Sequence, residues 1–264
     1  MDILFASSEA HPLIKTGGLA DVSGSLPRAI RNLHVGKTKQ EIRLILPAYP
    51  AAVARAGHLR TVAEFSLPGS GVPARLLAGR LPHSRVALYL VDHPPSFTRE
   101  GGPYGNADGD WPDNAARFAL FARAVVEVAM DRAGLGWRPR LVHCNDWQTG
   151  LVPALLSQEA DRPATLFTIH NLAYQGLFDY HQIDPLGLPP DWWHMDRLEF
   201  HGRFSFIKGG LVFADRINTV SPRYAEEIKT PAFGCGLDGL LRHRADVLSG
   251  ILNGVDYSIW SPGR

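Results

Sequence analysis

The chain has 264 residues, 45% hydrophobic and 20% charged, enough for one large domain or two small ones around an ordinary packed core. That composition excludes a disordered chain, a collagen-like repeat and a disulfide mini-protein. The net charge of +1, from 27 basic and 26 acidic residues, carries no global signature of nucleic acid or membrane binding, so any anion site is local. Cys144 and Cys235 are too few for a disulfide framework, and neither has a second cysteine at metal-ligand spacing, which suits a reducing, cytoplasmic setting. Asp2 stands where a signal peptide wants bases. The apolar stretch 118–130 is broken by Arg123 and Glu127, so no transmembrane span is expected.

Taken in order, short apolar runs at 3–6, 42–46, 86–91, 141–144, 166–169, 217–220 and 250–252 read as strands. Most are continuous rather than alternating, as in strands buried on both faces. Helical patterns lie between many of them, at 18–33, 114–132, 147–159, 204–214 and 222–229. In the first, Leu19, Val22, Leu26 and Ile30 share a face; in the second, Phe118, Phe121, Val125 and Val128 do. Strands alternating with helices predict right-handed crossovers and a mostly parallel, Rossmann-like α/β sheet with helices on both faces. Residues 58–82 depart from that pattern: two β-rich runs flank Pro68-Gly69-Ser70-Gly71 and read as a hairpin. Residues 94–113 read as a long surface loop, a length that is often functional.

Reactive residue types cluster after the strands. Glu9, His11 and Lys15 follow the first, Asp92 and His93 the third, Asn145 and Asp146 the fourth. His170 and Asn171, then Ser221, then Asn253 and Asp256 follow the later ones. In an open parallel sheet these strand ends share one edge, outside which ligands bind. A single polar residue there often only caps the next helix; agreement among so many loops points to a site. In Lys15-Thr16-Gly17-Gly18-Leu19, two glycines opening a helix let backbone N–H groups approach an anion, and the lysine adds a compact positive charge. A glycine-rich turn with a solvated lysine reads the same way from spacing alone.

Several patterns are set aside. Gly36-Lys37-Thr38 resembles a P-loop end, but Arg31 stands where the motif needs glycine. There is no G-x-G-x-x-G after the first strand, no G-x-S-x-G elbow and no H-E-x-x-H among the 11 histidines, so no metal site is expected. His194 and His201 read as polar-face residues. Trp192-Trp193 could stack on a sugar, though beside Pro189-Pro190 packing is the commoner use.

Lys15-Thr16-Gly17-Gly18-Leu19 resembles the K-x-G-G-L signature of bacterial glycogen synthases and plant starch synthases. His143-Cys144-Asn145-Asp146-Trp147 is similar to the family's H-x-x-D-W segment, and Thr168-Ile169-His170-Asn171 with Tyr174-Gln175-Gly176 to its T-x-H-N-x-x-Y-Q-G segment. Phe206-Ile207-Lys208-Gly209-Gly210-Leu211 with Ala214-Asp215 follows, then Thr219-Val220-Ser221-Pro222-Arg223-Tyr224, then Asn253-Gly254-Val255-Asp256 and Trp260, all in family order.

The resemblance implies a GT-B architecture, two Rossmann-like domains facing across a cleft, with residues 1–264 as the N-terminal starch/glycogen synthase catalytic domain, carrying a hairpin insertion near 58–82. It implies retaining transfer of glucose from ADP-glucose to the non-reducing end of an α-1,4-glucan, with no metal or other cofactor. By position, His170 and Asp146 would be catalytic, at the transferred glucose. Lys15, Gly17, Gly18, Asn171 and Asn253 would bind the donor; Glu9 and Tyr104 would face the acceptor glucan. The diphosphate leaves readily once its charge is stabilised, which suits N–H donors and a lysine better than a carboxylate acid/base pair. Residues 31–42 are longer and more basic than the family's short turn. The partner implied is the family's C-terminal, nucleotide-binding domain, which the chain lacks, so the domain alone is expected to be inactive. A glucan-binding or regulatory module derived from the enzyme, and the same chemistry with UDP-glucose, are the competing readings.

Overall fold

The computed structural model describes residues 1–35, 38–67 and 71–255. Nine strands form one sheet: β1 (Asp2–Ala6), β2 (Glu41–Pro47), β3 (Arg60–Phe65), β4 (Ala74–Arg80), β5 (Ala87–Asp92), β6 (Leu141–Asn145), β7 (Ala164–Ile169), β8 (Arg216–Thr219) and β9 (Leu248–Gly250). Their spatial order is β9-β8-β7-β6-β1-β2-β5-β4-β3. All neighbours pair in parallel except β4, which runs antiparallel to both β5 and β3. The expected hairpin near 58–82 is therefore present, and it extends the main sheet at one edge rather than standing apart. Its turn residues 68–70 lie outside the described residues.

The chain leaves β1 toward β2 and β5 and returns across it to β6, β7, β8 and β9, so the strand order reverses between β1 and β6. Right-handed crossovers in the two directions put their helices on opposite faces of the sheet. Helix α1 (Gly18–Asn32) covers one. On the other lie α2 (Asn114–Ala129), α3 (Leu151–Leu156) and α4 (Phe206–Phe213), with α3 packed between its two neighbours. The buried strands explain the continuous apolar runs: Leu4, Phe5, Leu44, Ile45, Val142, Phe167 and Ile169 are all fully buried.

The α3–α4 contact is backbone against backbone. A Cβ on Gly150 would lie 2.0 Å from the Phe206 carbonyl oxygen, and one on Gly209 would lie 2.4 Å from that of Gly150. Only glycine permits that approach.

Several expectations are corrected. The 147–159 helix is a 3-10 turn, Trp147–Thr149, followed by the short α3. The last strand is Leu248–Gly250 rather than 250–252, because it pairs with Ile217–Thr219, and residues 251–255 run exposed beyond it. Residues 94–113 contain a helical turn, Pro94–Phe97, and a small hairpin, Gly105–Asn106 with Gly109–Asp110. Residues 31–42 include the end of α1, an antiparallel pair His34–Val35 with Thr38–Lys39, and the start of β2. Trp192, by contrast, is 1% exposed and packs on Phe213, the packing role expected of it.

Candidate active site

The loops after β1, β6 and β7 meet at the strand-order reversal, where an open α/β sheet offers a crevice. Short hydrogen bonds lock them together. Asn145 Nδ2 donates to the Ala6 carbonyl at 2.9 Å, tying β6 to β1. The Asp146 N–H donates to the Thr168 carbonyl at 3.0 Å, and Asp146 Oδ1 accepts the His170 N–H at 2.8 Å, tying β6 to β7.

Asp146 has φ +56°, a conformation L-residues with a side chain rarely adopt. The kink turns the chain from β6 into the Trp147–Thr149 turn and brings the carboxylate back over the end of β7. Burial pushes its carboxyl up to about 7; the N–H groups of His170 and Asn171 oppose that shift, and the nearby Glu9 charge adds to it.

His170 is held down to about 4 by burial, so its ring is neutral at physiological pH. Because the Asn145 amide nitrogen is committed to Ala6, its Oδ1 faces His170 Nε2, at 3.0 Å. That network assigns the ring proton to Nε2 and leaves Nδ1 as an acceptor. Behind it, His143 is pushed down to about 3 by burial and by His170. Its Nε2 lies 2.6 Å from Thr168 Oγ1, whose hydroxyl donates to Asn218 Oδ1 at 2.6 Å.

The Lys15–Gly18 turn is organised by Glu9, which is 3% exposed. Glu9 Oε2 accepts the N–H of Thr16 at 2.5 Å and of Gly17 at 3.4 Å; Oε1 accepts the Thr16 hydroxyl and the Tyr104 hydroxyl, each at 2.8 Å. Ser8 Oγ lies 2.7 Å from the same phenol. Lys15 Nζ reaches Asp21 in the first turn of α1 at 2.7 Å, an exposed pair. Gly17 and Gly18 have no positive φ, and a Cβ on either would meet nothing within 4 Å. The N-terminus of α1 receives no side-chain cap.

Glu9, Tyr104, Asp146 and His170 are thus gathered with the Gly17-Gly18 turn. Asn171 is exposed at the same rim, its Oδ1 accepting the Ala173 N–H at 3.0 Å. Asn253 stands apart, on the exposed segment after the edge strand β9 and without a hydrogen bond to these groups among the described residues. Asp256 and Trp260 lie outside the described residues. Sequence reasoning missed the parts played by Thr16, Asp21 and Tyr224, whose hydroxyl accepts the Leu172 N–H at 3.1 Å. All three sit inside or beside the recognised motifs, but their partners are distant in sequence or hidden by a turn. Among the described residues no group of three or more His, Cys, Asp or Glu could hold a metal ion, and no helix is long and apolar enough to cross a membrane.

A family model described as starch synthase catalytic domain matches residues 2–243. The glycogen synthase of Thioalkalivibrio sulfidiphilus is 61% identical over 266 residues, covering 100% of this chain and 54% of that protein. Glycogen synthase 1 of Methylococcus capsulatus is 60% identical over 263 residues, covering 99% and 52%. The solved catalytic domain of starch synthase IV from Arabidopsis thaliana, bound to ADP and acarbose, matches with a TM-score of 0.80 at 28% identity, covering 100% of this chain and 53% of that one. The chain spans about half the length of the curated relatives it matches. It belongs to the starch synthase catalytic domain family and has the Rossmann-like α/β fold of GT-B glycosyltransferases.

Proposed function

We propose that this chain is the first, N-terminal domain of a glycogen synthase. The complete enzyme transfers glucose, with retention, from ADP-glucose to the non-reducing end of an α-1,4-glucan. The observation that carries the reading is the Gly17-Gly18 turn. Neither a positive φ nor close packing calls for glycine at these positions. Close approach of a ligand to the backbone explains both. The uncapped first turn of α1 offers N–H groups and a positive dipole end to a diphosphate, with Lys15 beside it.

Across the crevice, neutral His170 presents Nδ1 to accept a sugar hydroxyl. Asp146 orients the His170 backbone beside an oxocarbenium-like sugar and supplies negative charge there once it ionises, as pH rises through about 7. Asn171 completes the donor side at this rim, while Asn253 lies apart from it beyond the edge strand. Glu9 and Tyr104 line the acceptor side; a cavity of about 490 Å³ between Tyr49, Phe97 and Pro103, lined by neither of them but reaching the residue before Tyr104, offers further room for glucan. A second, nucleotide-binding domain supplies the remaining diphosphate contacts, so the chain alone is inactive. The relatives named as glycogen synthases, and the ADP and acarbose in the Arabidopsis structure, support the same donor and acceptor classes.

The test is incorporation of labelled glucose into glycogen. The complete synthase should transfer from ADP-glucose and far less from UDP-glucose, and the chain alone from neither. Equal or better use of UDP-glucose would overturn the donor assignment, and turnover by the chain alone would overturn the two-domain requirement.

A further inference from the structure

Arg117, on α2, is 1% exposed. None of its hydrogen-bond partners is a carboxylate. Nε donates to the Ser96 carbonyl at 2.6 Å, and Nη1 to the Pro103 carbonyl at 3.0 Å and to Asn114 Oδ1 at 2.6 Å. Nη2 has no partner among the described residues. The guanidinium sits 5.6 Å from the Phe97 ring centroid and 5.4 Å from that of Phe118. A buried charge of this kind adds little to core stability, since apolar side chains of similar volume serve as well or better. What a guanidinium adds is a rigid fork that fixes several acceptors at set angles.

Those acceptors lead to the site. The Ser96 and Pro103 carbonyls lie at the two ends of the loop that delivers Tyr104. Asn114, held by Arg117, donates from Nδ2 to the Tyr104 carbonyl at 2.8 Å. Consecutive carbonyls, of Pro103 and Tyr104, are therefore pinned to α2. From there the Tyr104 hydroxyl reaches Glu9, and Glu9 holds the Thr16 and Gly17 N–H groups. Asn114 and Arg117 are the α2 side chains that the described hydrogen bonds connect to Pro103 and Tyr104.

We propose that Arg117 is a positioning residue for glucosyl transfer. Through Asn114 and the Pro103 carbonyl it sets Tyr104, and through Tyr104 it sets the Glu9 carboxylate and the Gly17-Gly18 turn. This rests on the functional reading above.

The test is a double-mutant cycle in the complete synthase, reading kcat/KM for glucan at saturating ADP-glucose. Arg117→Lys and Tyr104→Phe should each lower kcat/KM about tenfold, and the double variant by about the same tenfold, because both break one chain of contacts. A loss of about a hundredfold in the double variant, the product of independent effects, overturns the proposal, as does an unchanged Arg117→Lys enzyme. If Arg117→Lys does not melt cooperatively, Asn114→Asp takes its place. It keeps a charge-assisted acceptor for Arg117 in the first turn of α2 while removing the donor to Tyr104. The same non-additivity with Tyr104→Phe is expected, and multiplicative losses overturn the proposal again. A wild-type synthase that transfers no glucose overturns the functional reading and this one with it; an active wild type with multiplicative losses overturns this one alone.

Discussion

Asp146 is 8% exposed, and its carboxyl titrates at about 7 against a reference of 3.8. The folded state therefore favours the protonated form, and the sign of the consequence follows from linkage. Below about pH 4 the group is protonated in folded and unfolded chains alike, and its contribution to stability is fully present. As pH rises, the unfolded chain releases the proton first, and the contribution is lost progressively until pH passes about 7. A shift of about three units corresponds to about 4 kcal/mol. Asp146→Asn removes this dependence, because asparagine stays neutral, accepts the His170 N–H through its own oxygen and matches aspartate in shape at this strained backbone position. Urea melts at pH 8 should show the variant more stable than wild type by a few kcal/mol, about 4 at most, and melts at pH 4 should bring the two within about 1 kcal/mol. His170 and His143, held at about 4 and about 3, lose stability in the acid range in the opposite sense, but equally in both proteins, so the difference isolates Asp146. A gap that is the same at both pH values, or a wild type more stable at pH 8, would refute the burial argument.

Gly150→Ala should cost on the order of 3 kcal/mol or more, since its Cβ would lie 2.0 Å from a backbone oxygen that cannot swing away. Calorimetry should show Tm falling by about 10 °C, and a shift below about 2 °C would mean that α3 and α4 can part without cost. His170→Ala in the complete synthase should lower kcat about a hundredfold with donor KM nearly unchanged, if the sugar hydroxyl that its Nδ1 is proposed to accept binds more tightly in the transition state than in the ground state. A raised donor KM with kcat intact would make His170 a ground-state contact instead.

The parallel core was legible because burial on both faces leaves a simple trace: continuous apolar runs such as 42–46 and 166–169, followed by polar rim residues. The edges were not. β9 is short and half exposed, so apolar content misplaced it by two residues, while the pairing with β8 sets its true register. Residues 94–113 looked like open loop because glycines and prolines dominate there; the order comes from α2, through Arg117 and Asn114. A signal for Arg117 existed, since it lies four residues before Phe121 on the apolar stripe of its helix, where a solvated arginine has no place.

Within the site, strand-end positions named Glu9, Asp146 and His170. Spacing could not show that Glu9 spends both carboxylate oxygens on Thr16, Gly17 and Tyr104, or that Lys15 pairs with Asp21. Those bonds join residues through a turn and a loop whose geometry exists only once the sheet has formed.

In the proposed function the Gly17-Gly18 turn serves a ligand rather than the fold, and Gly18→Ala in the complete synthase separates the two. A Cβ there meets no protein atom within 4 Å, so Tm should stay level or rise slightly, by an amount equivalent to about 0.4–1 kcal/mol. Transfer from ADP-glucose should fall at least about tenfold in kcat/KM. Unchanged transfer at unchanged stability would mean that no ligand approaches the Gly17-Gly18 backbone.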